Sequence, residues 1–122
     1  MILLDTNVLI ELLKGHTPAI RFVESVTEPL AISSISAMEL FYGALNKAEV
    51  RKLEKFVALF QLLHLDEKIS LKAMVLIKTY AKSHNLDIPD GLIAATAIVH
   101  KIPLMTYNRK DFRFIEGLEL TD

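Results

Sequence analysis

The 122-residue sequence contains no cysteine, which excludes disulfide frameworks, thiol catalysis and cysteine-bound zinc. It also lacks a long hydrophobic run. Its apolar stretches, such as Ile2–Leu4 and Leu62–Leu63, fall far short of the roughly 20 residues needed to cross a bilayer. The opening Ile2-Leu3-Leu4-Asp5 has neither a basic segment nor a small-residue cleavage site. No secretory signal is expected, and a soluble cytoplasmic protein with no membrane partner is. A basic surplus is missing as well: 14 Lys and Arg stand against 15 Asp and Glu, a formal net charge of −1. Strong nucleic-acid binders usually carry a basic excess. Nucleic-acid contact would therefore have to come from a local patch, a metal ion, or a dimer that combines two patches. With no internal repeat, low-complexity stretch or linker, one domain over residues 1–122 is expected.

What is present is a chain built to fold. Apolar residues make up 52% and the mean hydropathy is +0.35. A domain this small has too little interior for all of that, so a subunit or partner interface is expected. Short apolar runs at Ile2–Leu4, Leu30–Ile32, Leu62–Leu65 and Ile102–Met105 read as buried strands, with a last one at Leu118–Leu120. Helical spacing fills the intervals. Val8–Leu13 stops at Gly15, Thr17-Pro18 reads as an N-cap followed by proline at the first helical position, and Ser36 opens a helix to about Asn46. Further helices are expected over Ala48–Phe60, from Asp66 or Ser70 to Ser83, and over Gly91–His100, with a short helical turn at Asn108–Phe112. Apolar strands alternating with helices indicate a parallel sheet covered on both faces.

Four acids stand where chemistry is commonly found. Asp5 closes the first strand, Glu39 follows the second, Asp90 heads the Gly91 helix and Asp111 follows the fourth strand. Each has a plain structural reading. Asp5 can cap the next helix, and Ser36-x-x-Glu39 has capping-box spacing. Asp90 can complement a helix dipole, and Asn108-x-x-Asp111 also has cap-like spacing. Together they point elsewhere, because the carboxyl ends of parallel strands and the amino ends of the following helices share one edge, where ligands bind. Carboxylates gathered there repel, so they take up protons or hold a cation. Oxygen ligands without His or Cys select magnesium or manganese, ions suited to phosphodiester cleavage.

Other residues play supporting parts. Thr6 and Asn7 after Asp5, and Thr106 and Asn108 near the fourth strand, can orient a carboxylate or serve as local caps. Asp87 is the rival of Asp90, placed second because it falls in the connecting loop. His16, His64, His84 and His100 form no ligand pair and read as surface or partly packed residues. Ala94, Ala95 and Ala97 allow their helix to pack closely. Lys47, Arg51, Lys52 and Lys55 read as a solvated face, whereas Arg109 and Lys110 beside Asp111 are better placed to meet phosphates.

Four motifs in order carry a resemblance. Leu3–Ile10 with Asp5-Thr6-Asn7, Ser36-Ala37-Met38-Glu39-Leu40 with Tyr42-Gly43, Ile88–Ala97 with Pro89-Asp90-Gly91, and Leu104–Phe112 with Thr106-Tyr107-Asn108 span nearly the whole chain. They resemble the motifs of PIN domains, and the short length looks most like the VapC-type toxins of toxin–antitoxin pairs. The resemblance implies a Rossmann-like three-layer α/β/α sandwich around a short-stranded, mainly parallel sheet. It also implies a Mg2+- or Mn2+-dependent endoribonuclease that cuts RNA such as tRNA, rRNA or mRNA. Asp5, Glu39, Asp90 and Asp111 match the family's acidic positions, with Asp5 and Asp90 as direct metal ligands. Thr6, Asn7 and Thr106 match accompanying polar positions. The family can also carry an acid at the position of Asn108, which leaves Asn108 and Asp111 as alternatives for the fourth ligand. A homodimer and a cognate antitoxin that blocks the site are implied too.

Two other readings compete. An apolar strand ending in Asp also opens aspartate-dependent phosphotransferases and phosphatases. The haloacid dehalogenase type wants a second Asp two residues on, where this chain has Asn7, and a receiver domain wants a phospho-acceptor after a middle strand, which Leu62–Leu65 does not supply. A catalytically silent PIN-like module binding RNA or protein would be favoured by loss of the acids, yet all four are present.

Overall fold

The structure, a computed structural model, describes residues 1–121. Its elements run in the order β1 (Ile2–Leu4), α1 (Thr6–Leu13), α2 (Thr17–Ser25), β2 (Leu30–Ser33), α3 (Ser34–Tyr42), α4 (Lys47–Val57), β3 (Gln61–Leu63), α5 (Glu67–His84), α6 (Ile88–His100) and β4 (Leu104–Met105), closing with a 3-10 turn at Arg109–Asp111. The sheet has the order β3-β2-β1-β4, and every pairing is parallel. Leu3 is the pivot of the register, facing Ala31 on one side and Leu104 on the other.

Alternation along these short strands makes three layers. Leu3, Ala31, Leu63 and Leu104 point into one core with Ile69, Ala73 and Leu76 of α5 and Ile93 and Ala97 of α6. Ile2, Leu4, Ile32 and Met105 point into the other with Val8 and Leu9 of α1, Ala37 and Leu40 of α3, and Leu53 and Val57 of α4. Helices thus cover both faces, as expected of a parallel sheet. Among the described residues, no helix is long and apolar enough to cross a membrane.

Several boundaries differ from the sequence expectation. His16, not Thr17, is the N-cap of α2, and its side chain makes no cap hydrogen bond. Pro18 is tolerated one position later because the early N–H groups of a helix are unpaired anyway. Helix α3 begins at Ser34, since the Ser33 hydroxyl accepts from the Ile35 N–H at 3.1 Å. It ends at Tyr42, and Asn46 instead caps α4, accepting from Glu49 at 2.9 Å. Helix α6 starts at Ile88, because Asp87 is its cap. Leu118–Leu120 forms a single bridge from Leu120 to Leu104 and not a strand, because the two-residue β4 offers so short an edge.

The α5–α6 packing sets where α6 begins to point. A Cβ on Gly91 would lie 2.7 Å from Ile77 Cδ1, so the bare backbone lets the first turn of α6 approach α5 closely. That turn carries Asp90.

Candidate active site

The strand order reverses direction about β1: β2 lies on one side and β4 on the other. This is the switch point of an open parallel sheet, where a crevice forms at the carboxyl ends of the strands. Asp5 stands there, one residue past β1, with only 4% of its surface exposed. Its carboxylate is held from two sides. Oδ1 accepts from the Thr6 N–H at 2.8 Å as the cap of α1. Oδ2 accepts from the Thr106 hydroxyl at 2.7 Å.

Thr106 is a hub. Its oxygen also accepts from Asn7 Nδ2 at 3.4 Å and from the Asn108 N–H at 3.0 Å, while Asn7 Oδ1 accepts from the Tyr107 N–H at 3.3 Å. The segment after β4 is thereby tied to the start of α1. On the other side of Asp5, the Thr6 hydroxyl meets Glu39 Oε1 at 2.7 Å and the Ser36 hydroxyl at 2.8 Å. Thr6 has one proton to give, and the carboxylate is the stronger acceptor, so the Ser36 hydroxyl donates to Thr6.

Asp90 faces the same crevice from α6. Asp5, Thr6, Asn7, Ile10, Glu39, Asp90 and Asn108 line one cleft of about 230 Å³. Burial pushes the Asp90 carboxyl from its ordinary 3.8 up to about 7, aided by the charges of Asp87, Asp5, Asp111 and Glu39. Burial also raises Asp5. The Thr106 and Thr6 hydrogen bonds oppose that rise, and Glu39 and Asp111 add to it. Asp90 and Asp5 thus both lie in the field of Glu39 and Asp111, and such a field favours either a proton or a cation.

Each expected residue has a definite place. Glu39 lies beyond the first turn of α3, and Ser36 spends its hydroxyl on Thr6, so the capping-box spacing is not used as a capping box. Asp87 caps α6, accepting from the Asp90 N–H at 2.9 Å. Asn108 lines the cleft, whereas Asp111 acts on it through charge without lining it. The Arg109 guanidinium donates to the Thr121 carbonyl and does not line the cleft. His84 stacks on Phe114, with ring centroids 4.2 Å apart, and no histidine lines the cleft. Ser36, fully buried and bonded to Thr6, belongs to the site although its spacing from Glu39 suggests only a cap. The hydroxyls at 33, 34 and 36 ahead of Glu39 were the available signal.

Among the described residues, no three His, Asp or Glu side chains form a ready-made ligand set for one metal ion. The donors nonetheless fit Mg2+ or Mn2+ in kind: they are carboxylates, and the cleft has no sulfur or imidazole. Mg2+ in particular keeps several waters and takes only one or two carboxylates directly. Asp5 and Asp90 both line the cleft and are carboxylates of that kind.

Comparison with known proteins places the chain in a family. The PIN domain family model matches residues 2–117. The chain is 38% identical to Ribonuclease VapC10 of Mycobacterium tuberculosis over 122 residues, covering 98% of this chain and 91% of that protein. It is 35% identical to Ribonuclease VapC1 of Methanocaldococcus jannaschii, covering 99% and 87%. Among solved structures, a toxin–antitoxin complex from Klebsiella pneumoniae superposes with a TM-score of 0.83 at 31% identity, covering 97% and 95%. VapBC2 from Rickettsia felis, bound to a DNA fragment from its promoter, superposes at 0.84 with 27% identity, covering 99% and 98%.

Proposed function

The chain belongs to the PIN-domain family, and from that premise we propose that it is a Mg2+- or Mn2+-dependent endoribonuclease, the toxin of a toxin–antitoxin pair. The observation that carries the reading is that Asp5, Glu39 and Asp90, acids far apart in sequence, line one cleft in which the Thr106 hydroxyl pins Asp5. Carboxylates gathered in one partly buried cleft invite a divalent ion.

In this reading Asp5 and Asp90 hold the metal, with Glu39 and either Asp111 or Asn108 completing the site. A divalent ion there would polarise a phosphoryl oxygen and lower the pKa of an attacking water. The chain's own residues supply orientation. Thr6 fixes Glu39, Thr106 fixes Asp5, and Asn7 keeps the β4 segment in register with α1. Such supporting hydrogen bonds commonly change metal affinity or activity 10- to 100-fold. Arg109 is released to meet phosphate only if its bond to Thr121 opens.

The apolar surface supports protein partners. Leu71, Met74 and Val75 of α5, with Ile88, are about half exposed or more, a surface suited to a second copy of the chain. Ile35, Met38, Tyr42 and Pro89 line a separate hollow that shares Glu39 with the acidic cleft. An antitoxin segment seated there would lie against the acids and block them. A homodimer, a cognate antitoxin, an RNA substrate and a cytoplasmic location make up the proposed setting, with residues 1–122 as one PIN domain.

The test uses the purified chain free of antitoxin, comparing RNA cleavage with Mg2+, with EDTA, and in Asp5→Asn. Cleavage should vanish on chelation and fall about a hundredfold or more in the variant, since several kcal/mol of charge stabilisation are at stake and each 1.36 kcal/mol is tenfold. Cleavage that survives both would end the metal reading.

A further inference from the structure

Next to the acidic cleft lies a second hollow of about 360 Å³, lined by Asn7, Glu11, His16, Tyr107 and Asn108. It shares Asn7 and Asn108 with the cleft, so the two adjoin. Its floor is fixed by hydrogen bonds already described: the Tyr107 N–H is held by Asn7, and the Asn108 N–H by Thr106. The rings remain available. The Tyr107 residue is 40% exposed, and His16 meets it edge-on, with centroids 6.3 Å apart and planes at 87°. The His16 imidazole is also spared capping duty at α2.

The polar groups of this hollow suit a base better than a phosphate. No Lys or Arg lines it, and Glu11 puts a carboxylate at its edge. The Glu11 contacts to Lys14 and His16, at 3.7 and 3.9 Å, are longer than hydrogen bonds, so both oxygens keep their acceptor capacity. Single-stranded RNA is read by stacking bases on Tyr or His rings and bonding their edges. A carboxylate accepts from N–H groups, and guanine offers two adjacent ones on its Watson–Crick edge. Uracil offers one, flanked by two carbonyl oxygens that a carboxylate repels.

We propose that this hollow is a nucleobase subsite, seating one unstacked base of single-stranded RNA beside the acidic cleft, with Tyr107 as the stacking ring and Glu11 selecting guanine. The inference rests on the reading of RNA as substrate. It also answers how a chain of net charge −1 holds RNA: base contacts supplement what few cations can do.

The test follows the aromatic NMR signals of Tyr107 and His16 in EDTA, so that nothing is cut, during titration with the tetraribonucleotides UUGU, UUUU and a version of UUGU abasic at its third position. UUGU should shift both rings, bind several-fold more tightly than UUUU, and lose its effect when abasic. Tyr107→Ala should weaken UUGU binding about tenfold, Tyr107→Phe should retain it, and Glu11→Gln should erase the preference over UUUU. With Mg2+ present, Tyr107→Ala should raise KM for RNA while kcat and Mn2+ affinity hold. Rings unmoved by any oligomer, or moved equally by the abasic one, overturn the subsite. Ring shifts without Mg2+-dependent cleavage would sink the nuclease reading and leave the subsite standing. Cleavage with unmoved rings would do the reverse.

Discussion

The two walls of the acidic crevice are built differently. On the β1/β4 wall, Asp5 is buried and both of its oxygens accept hydrogen bonds, from Thr6 and Thr106. On the α6 wall, only the Asp90 backbone is engaged, by the Asp87 cap, and among the described residues no hydrogen bond reaches its carboxylate. One wall is preorganised by protein donors. The other is left electrostatically unsatisfied, and its carboxyl is raised to about 7. Burial raises both carboxyls, but donors oppose the rise at Asp5 and none does at Asp90, so the fold itself gains nothing from Asp90 being ionised.

The largest effect should come from the unsatisfied wall. Asp90→Asn should lower RNA cleavage about a hundredfold or more and abolish Mn2+ uptake read by calorimetry, with the far-ultraviolet circular dichroism of the fold retained. An unchanged Mn2+ affinity would dissolve the contrast between the walls. The pinned wall should respond more moderately. Thr106→Val removes the donor to Asp5 Oδ2 and should cost about 1–3 kcal/mol in stability and 10- to 100-fold in cleavage. Thr106→Ser keeps the hydroxyl and should recover most of both.

A smaller effect separates the walls by pH. In metal-free protein, the folded Asp90 retains a proton up to about 7 that the unfolded chain releases near 3.8. Its contribution is fully present below the unfolded value and is lost as pH rises through about 7. Thermal melting in EDTA should therefore fall over that interval. Asp90→Asn should flatten part of the slope, leaving the share owed to Asp5, which is shifted in the same direction. The smallest effect belongs to Asp87→Ala, which removes the α6 cap at a cost of about 1 kcal/mol, read from denaturant midpoints, with cleavage largely kept.

Much of this was legible in the linear chain because it depends on neighbours in sequence. The run Ile2-Leu3-Leu4 before Asp5 marks a buried strand with an acid at its end, and the structure has that strand and that cap. Asp66, one of the two starts expected for the long helix, likewise caps it, whereas Asn46, expected at the end of one helix, caps the next. Ser36 and Glu39 show the opposite case. Their spacing reads as a local cap, but their partner is Thr6, 30 and 33 residues away. Asp87 read as a loop residue, because nothing local distinguishes a cap at 87 from a helix start at 91. The hollow of Glu11, His16 and Tyr107 was equally invisible, since its walls come from opposite ends of the chain.

Composition and periodicity by themselves determined a layered α/β domain and put acids at strand ends, because burial patterns and capping are short-range physics that a chain carries in its order. Only the tertiary structure decided which of those acids is held and which is left wanting charge. That depends on parallel pairing, which brings residue 106 within 2.7 Å of residue 5. It depends too on the desolvation that comes only when β1, β4 and α6 close around one crevice.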